Sequence, residues 1–312
     1  MNRIEQNAIK VGLYCGSWGP NIGNAFLNLG AKVTIQNAFP NSKIYPIGCA
    51  SHWFFNRYIG NKTEFKGNSF EIGEVVDLDI IVVAGMIMCN EFVSNNGITF
   101  VKAAARNVPI LLLGTGSKHY TIDEADCFSS FMNSLFKYAV ITRDDDSFEQ
   151  YKGKLSNLYS GIDSAFFLSD YYSPPKLILP PFNVVNFDST SKPPQIDHQV
   201  DHIIHTRHTS NALRSSNFIY PNTLISDVPE DYLTVYSQVE TTYSDRVHAC
   251  VATLVYGNKA RLYSDTPRRS LFAKLNVERI DREVATLDMN KLSKLKQNQI
   301  DLVKMLITEL VS

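Results

Sequence analysis

The chain has 312 residues, a length typical of two domains. Apolar residues make up 44% and charged residues 20%, the proportions of an ordinary globular protein. A formal net charge of −1 gives no electrostatic basis for nucleic-acid binding.

The N-terminal residues 1–6 are polar and do not resemble a signal peptide. The longest apolar runs have the length of strands and are broken by glycine or charge, so no membrane span is predicted. The cysteines are five in number, scattered and without a C-x-x-C pair, which argues against a disulfide framework and a cysteine zinc site. We therefore expect a cytoplasmic protein with at most peripheral membrane contact.

The first half of the chain alternates apolar strands with helices. Strands are predicted at residues 11–15, 79–84, 108–113 and 138–142, and helices at 24–36, at 102–106 and after Arg143. Continuous apolar strands separated by helices are typical of a parallel sheet covered on both faces. The expected fold class is therefore α/β.

A proline cluster, Pro174-Pro175 and Pro180-Pro181, then interrupts this alternation. Because proline stiffens the chain and removes backbone donors, we predict a linker here, with an N-terminal domain at 1–172 and a C-terminal domain at 173–312. The Ser/Pro-rich segment 188–199 is expected to be an exposed loop.

The second half resumes the alternation and ends in an amphipathic helix. Strands are predicted at 183–187, 202–206, 224–226, 237–241 and 259–263, and helices near 231, at 247–256 and at 269–275. The last helix begins near Asp288 or Asn290 and carries lysines outside its apolar stripe. Such a helix can lie on a membrane surface, but we favour packing on the domain.

The segment Ser244–Cys250 is the most informative part of the chain. Ser244 is a good N-cap for the helix that follows, and a helix N-terminus favours anions. The guanidinium of Arg246 matches carboxylate or phosphate. In the alternative interpretation, Arg246 pairs with Asp245 or a neighbour, and His248 is a core histidine.

Other polar clusters follow strands, where α/β sheets bind ligands. Backbone N–H groups at the glycines of Gly114-Thr115-Gly116-Ser117 could approach an anion, although a tight turn also explains them. Arg143 would point into the crevice, while Asp144 could cap the next helix and Asp163 could serve as a cap or hinge.

Histidines cluster around the predicted strand 202–206. A metal site is disfavoured because His202 and His205 face opposite sides of a strand and no carboxylate or cysteine has suitable spacing beside them. His205 and Arg207 are better explained as anion or sugar contacts. We expect no metal.

Taken in order, these clusters resemble the polysaccharide pyruvyl transferase family over roughly residues 10–285. The matching segments are Asn21-x-Gly23-Asn24, Gly114-x-Gly116-Ser117, Arg143-Asp144-x-x-Ser147, Ile162-Asp163-x-Ala165-Phe166 and Ser244-x-Arg246-Val247-His248-Ala249. The family often has an acidic residue in place of Asn24 and a run of glycines in place of the segment 84–88.

The resemblance implies a GT-B-like fold, in which two Rossmann-like domains face each other across a cleft. It implies transfer of pyruvate from phosphoenolpyruvate onto two hydroxyls of a sugar, forming a cyclic ketal and releasing phosphate, with no cofactor. The acceptor would be a unit of a surface polysaccharide or its precursor, free or lipid-linked. The N-terminal domain would bind this acceptor and the C-terminal domain the donor.

The resemblance also suggests roles for individual residues. Arg246 would bind the donor's carboxylate or phosphate, assisted by Arg143 or Arg207. His248 would be the general acid or would protonate the departing phosphate, and Asp144 or Asp163 would be the base. The other expected substrate-binding residues are Gly23, Asn24, Gly114, Gly116, Ser117, His205 and Ser244. Two alternatives stay open: a GT-B glycosyltransferase that uses a nucleotide sugar, and a non-catalytic glycan-binding descendant.

Overall fold

The computed structural model describes residues 8–15, 21–47, 76–189, 196, 202–209 and 221–312. Most of the expected loop 188–199 lies outside these ranges. No helix within them is long and apolar enough to cross a membrane.

The first sheet has six parallel strands in the order β2-β1-β3-β4-β5-β6. Its strands are β1 (Lys10–Tyr14), β2 (Lys43–Ile47), β3 (Ile80–Met88), β4 (Ile110–Ser117), β5 (Tyr138–Thr142) and β6 (Leu158–Ser160). Its helices are α1 (Gly23–Ala38), α2 (Asn90–Ala105), α3 (Ile122–Asn133) and α4 (Asp145–Tyr151). A 3-10 helix (Ser164–Phe167) then leads into α5 (Leu168–Tyr171).

The second sheet has five parallel strands in the order β11-β10-β7-β8-β9. Its strands are β7 (Phe182–Asn186), β8 (His202–Thr206), β9 (Thr223–Leu224), β10 (Thr241–Ser244) and β11 (Lys259–Leu262). Its helical elements are α6 (Pro229–Tyr236), α7 (Val247–Leu254), a 3-10 helix (Pro267–Leu275) and α8 (Met289–Val311). Two parallel sheets with helices between their strands confirm the predicted α/β class.

Two helices contact the cores of both sheets. Phe26 and Leu29 of α1 share a buried cluster with residues of β7, α6 and α7. In α8, Leu292 belongs to that same cluster, whereas Val303 and Leu306 pack on the first sheet. Residues 172–181 form neither helix nor strand. The boundary at 172/173 stays a prediction, and the last helix physically links the two halves.

The structure corrects two expectations about the second half. The strand expected at 237–241 is β10, at Thr241–Ser244, because Ser237 still closes the C-terminus of α6. Ser244 is consequently the last residue of a strand, and the N-cap position of α7 belongs to Arg246. Strands β2 and β6 were not predicted from the sequence. Both are short edge strands whose residues are mostly exposed or half-buried, so they lack a continuous apolar pattern.

Candidate active site

Two side chains, one from each half of the chain, approach the carboxylate of Asp163. Arg143 follows β5, Asp163 follows β6, and His248 lies in the first turn of α7. Oδ2 of Asp163 lies 3.6 Å from Nη1 of Arg143 and 3.6 Å from Nε2 of His248. The structure therefore brings together three residues that the sequence proposed separately.

Polar atoms in this group are buried and incompletely satisfied. The side chains of Arg143 and Asp163 are 1% and 0% exposed, and that of His248 is 17% exposed. Nη2 of Arg143, Oδ2 of Asp163 and Nε2 of His248 have no hydrogen-bond partner among the described residues. Because buried polar atoms are normally hydrogen-bonded, this arrangement suits a polar ligand.

The local charges keep Asp163 and Arg143 ionised. Burial alone would raise the pKa of Asp163, but His248, Arg143 and the N–H of Ala165 lower it below its ordinary value. Burial would lower the pKa of Arg143, but Asp163 and Asp144, together with Tyr120, raise it. The site thus holds a buried anion between two groups that can carry positive charge.

Asp144 is occupied by structural contacts. Its Oδ1 accepts a 2.6 Å hydrogen bond from the N–H of Ser147 at the start of α4. Its Oδ2 lies 3.3 Å from Nε of Arg143 and accepts from the hydroxyl of Tyr120 at 3.3 Å. Asp144 therefore caps α4, one of the two roles considered for it, and also orients Arg143.

Arg246 is held by a carboxylate that its sequence context did not predict. Its Nε donates to Oδ2 of Asp188 at 3.1 Å, and that oxygen also accepts from the N–H of His208 at 2.9 Å. Asp245 instead accepts from the backbone N–H groups of Asp188 and Ser189. The residue that pairs with Arg246 is therefore Asp188, not Asp245.

The environment of Asp188 contradicts its placement at the start of an exposed loop. Its side chain is 1% exposed, and burial raises its pKa even though Arg246 and the N–H of His208 act to lower it. Asp188 follows β7 by two residues. Its position just beyond the carboxyl end of an apolar strand is the sequence signal that could have identified it as a site residue.

The glycines of the motifs make room for the protein's own atoms. A Cβ at Gly116 would lie 2.3 Å from Nε of Arg143, and one at Gly114, which has a φ of +61°, would lie 2.7 Å from the carbonyl oxygen of Ile162. A Cβ at Gly23 would lie 3.3 Å from Nδ1 of His248. Because these glycines lack a Cβ, they leave room for three neighbours: Arg143, His248 and the segment before Asp163.

The remaining candidates have contacts within the fold. Ser117 donates its N–H to Ser147 and its hydroxyl to Gln150. Ser244 donates its hydroxyl to Asn186 at 2.9 Å and accepts from the N–H of Arg246 at 2.8 Å.

Three further candidates lie on other elements of the fold. Asn24 is the second residue of α1 and is half-buried. His205 lies in β8, and Arg207 just after it donates from Nη1 to the carbonyl of Phe187. No cluster of three or more His, Cys, Asp or Glu side chains suited to a metal ion occurs in the described ranges.

Solved structures share this architecture at low sequence identity. UDP-N-acetylglucosamine 2-epimerase from Rickettsia bellii has a TM-score of 0.54 and 10% identity over 97% of this chain and 98% of its own. The MnaA–UDP structure from S. aureus has a TM-score of 0.50 and 9% identity over 96% of this chain and 90% of its own. These similarities show the GT-B-like fold.

Comparison of sequences identifies the family. No curated protein matches the chain. The family described as polysaccharide pyruvyl transferase matches residues 21–260, a range that contains Arg143, Asp163, Arg246 and His248. This confirms the resemblance seen in the motifs: the chain belongs to the polysaccharide pyruvyl transferase family.

Proposed function

We propose that this protein transfers pyruvate from phosphoenolpyruvate onto two hydroxyls of a sugar, forming a cyclic ketal. The observation that carries the proposal is the contact of Arg143, Asp163 and His248, in which three buried polar atoms form no hydrogen bond with the described residues. Family membership supports pyruvate transfer and a saccharide acceptor.

The donor's two anionic groups match the cations of the site. Phosphoenolpyruvate carries a carboxylate and a phosphate, for which guanidinium groups are the best-matched protein ligands. Arg143 offers its unpartnered Nη2, and Arg246 lies at the N-terminus of α7, which also favours anions. Arg143 comes from the first half of the chain and Arg246 from the second, so we infer a donor site shared by both halves.

The reaction requires a proton at carbon and the loss of two hydroxyl protons. Protonation of the donor's methylene carbon creates a methyl group and an oxocarbenium-like carbon, which the first sugar hydroxyl attacks. The second hydroxyl then forms the other C–O bond as the bond to phosphate breaks. One of the two hydroxyl protons balances the new methyl group, and the other leaves on phosphate.

His248 is the best placed residue to move these protons. Its side chain is partly exposed, whereas the carboxylate of Asp163 is fully buried behind it. Asp163 therefore acts as a positioning residue that orients His248, and His248 is the catalytic acid. Asp144, already used as a helix cap, is the weaker candidate for a base.

The acceptor and the cellular location are part of the proposal. The acceptor is a sugar of a surface polysaccharide or its precursor, free or lipid-linked, and the enzyme works in the cytoplasm, with at most peripheral membrane contact. We propose that it needs neither a metal nor another cofactor.

A ligand panel followed by an activity assay tests this function. Phosphoenolpyruvate, UDP-sugars and CMP-sugars are compared by thermal shift, where a ligand at about 100 times its Kd stabilises the fold by about 2.7 kcal/mol. We expect stabilisation by phosphoenolpyruvate and release of phosphate only when an acceptor sugar is added. Stabilisation by a nucleotide sugar alone would indicate a glycosyltransferase. Binding of glycan without turnover would indicate a non-catalytic descendant.

A further inference from the structure

An open groove lies at the surface between α4 and the 3-10 helix of the second half. It has a volume of about 400 Å³ and is lined by Tyr120, Asp146, Glu149, Gln150 and Pro267. Tyr120 follows β4, the next three residues belong to α4, and Pro267 begins the 3-10 helix after β11. Pockets that bind small molecules have volumes of about 300–1,000 Å³, so this groove is large enough for a ligand.

Tyr120 connects this groove with the candidate active site. Its hydroxyl donates to Oδ2 of Asp144 at 3.3 Å, and the same oxygen lies 3.3 Å from Nε of Arg143. Arg143 in turn contacts Asp163. A ligand that lies against Tyr120 in the groove would therefore be one side chain away from Asp144 and Arg143.

The backbone of Tyr120 adopts a conformation that is unusual for a bulky residue. Its φ is +57°, whereas the other non-glycine residues with positive φ in the described ranges are all asparagines, which tolerate this region better. The carboxylate of Glu124, which is 1% exposed, accepts from three successive N–H groups, those of Lys118, His119 and Tyr120. Strained residues that are held in this way cluster at functional sites. The conformation of Tyr120 therefore supports a binding role for its ring.

The charges along the groove indicate which ligands suit it. Asp146 is exposed and pairs with no cation in the described part of the chain, whereas Glu149 accepts from Nζ of Lys152 at 3.1 and 3.2 Å. No lining residue carries a positive charge, so the phosphate and carboxylate of an anionic ligand would be repelled. The two carboxylates belong to no metal-binding cluster among the described residues. A neutral ligand with hydroxyl donors fits these charges.

A sugar ring has the complementary chemistry. Its hydroxyls can donate to the free carboxylate of Asp146, in hydrogen bonds that the negative charge strengthens. The C–H groups on its face can pack against apolar surface, which the ring of Tyr120 and the side chain of Pro267 provide. The amide of Gln150 is fixed beside them, because it accepts from the hydroxyl of Ser117 and donates to the carbonyl of Thr121.

We propose that this groove is a saccharide-binding subsite, in which a neutral sugar unit packs against Tyr120 and donates hydroxyl hydrogen bonds to Asp146. That this sugar is part of the pyruvate acceptor rests on the proposed function. The groove would then bind the acceptor from the side of the first sheet, while the cations Arg143 and Arg246 bind the donor. Separate sites of opposite charge keep the anionic donor out of the acceptor's place.

A glycan array of neutral and acidic oligosaccharides, followed by titration calorimetry with the neutral glycan that binds best, tests the subsite on the full chain. Asp146→Ala removes a charged hydrogen bond and should weaken glycan binding about 10- to 100-fold. The control is Asp123→Ala, which removes an exposed acidic side chain from the first turn of α3, outside the groove. It should bind the glycan like the wild type.

Variants of Tyr120 test the role of the ring. Tyr120→Leu should weaken glycan binding about 10-fold, whereas Tyr120→Phe, which keeps the ring, should bind nearly like the wild type. Asp146 is exposed, so Asp146→Ala decides the question even if Tyr120→Leu melts at a lower temperature.

Three results would overturn the proposal: no neutral glycan bound by the wild type, binding of acidic glycans only, or wild-type glycan affinity in Asp146→Ala. A parallel titration with phosphoenolpyruvate separates this proposal from the proposed function. Asp146→Ala should bind phosphoenolpyruvate at least as tightly as the wild type, because it removes a negative charge. If glycan binding shows the expected losses but the wild type does not bind phosphoenolpyruvate, the subsite stands and the proposed function fails.

Discussion

Oδ2 of Asp163 lies 3.6 Å from Nε2 of His248, and the two residues belong to opposite halves of the chain. Asp163 follows β6 of the first sheet, and His248 lies in the first turn of the helix after β10 of the second. The carboxylate is fully buried, and the imidazole is the more exposed partner. The proposed proton donor is thus oriented by a residue from the other half.

Replacing His248 with Asn should lower turnover with little effect on stability. A positioned acid contributes about 10²- to 10⁴-fold to the rate, so we expect at least a 100-fold loss. The contact between Nε2 of His248 and Oδ2 of Asp163 is 3.6 Å long and is not a hydrogen bond, so the melting temperature should change less than the turnover. Phosphate release and melting are measured on the same preparation, and unaltered turnover in folded His248→Asn would rule out this role.

At Arg246, lysine should be almost as damaging as alanine. Lysine keeps the charge but cannot make the planar bidentate contact with an anion or keep the Nε contact to Asp188. Loss of one charged hydrogen bond costs about 1.5–3 kcal/mol, or about 10- to 100-fold in donor affinity. Calorimetry with phosphoenolpyruvate measures this, with the exposed Arg279→Lys as control. Wild-type affinity in Arg246→Lys would instead assign Arg246 a purely structural role.

Gly116→Ala should displace Arg143. The added Cβ would lie 2.3 Å from Nε of Arg143, a side chain that has no free space to move into because it is 1% exposed. Overpacking of this kind costs about 1–3 kcal/mol, and we expect donor binding to weaken as well. Gly97→Ala, whose Cβ would meet the ring of Phe131 at 3.2 Å, is the control. Equal stability and equal donor affinity of the two variants would show that Arg143 does not need this space.

Gln299 of α8 should support the segment that carries Asp163. Its Oε1 accepts a 2.7 Å hydrogen bond from the N–H of Ile162. Gln299→Leu leaves that buried N–H without an acceptor, which costs about 1–3 kcal/mol of unfolding free energy, and turnover should fall as Asp163 shifts. Urea denaturation and phosphate release measure the two effects, with exposed Gln297→Leu as control. An unchanged free energy of unfolding and unchanged phosphate release would show that α8 does not support the site.

Stability should fall between neutral and mildly acidic pH because of His208. Burial holds the pKa of His208 well below its ordinary value, and Arg246 and His248 lower it further, so the folded state keeps the ring neutral. The unfolded state binds a proton below about pH 6.5, so it gains protons that the folded state does not. Stability is therefore fully present above pH 6.5 and declines by up to about 1.4 kcal/mol per pH unit below it.

The variant His208→Gln isolates this contribution. It removes the titrating group that contacts the hydroxyl of Tyr236. Urea midpoints for wild type and variant are compared from pH 5 to pH 7.5, and the difference between the two curves should shrink as the pH falls. Parallel curves would show that His208 protonates alike in both states.

The sequence alone was sufficient for the fold class and for most of the proposed catalytic residues. Continuous apolar strands predicted the parallel sheets, because strands covered on both faces carry almost no polar residues. Arg143 was identified because it follows such a strand, where parallel sheets bind ligands. Arg246 and His248 were identified at the start of an apolar helix, and Asp163 through the motif that resembles the family. The edge strands β2 and β6 were missed because their residues lack that apolar pattern.

Only the tertiary structure decided which of these residues meet. Sequence spacing describes local periodicity, whereas the partner of a buried charge is set by packing between distant elements. Packing placed Asp163 between Arg143 and His248 and paired Arg246 with Asp188 rather than with its neighbour Asp245. These pairings depend on how the two sheets and the helices shared between them pack, and no local pattern records that geometry.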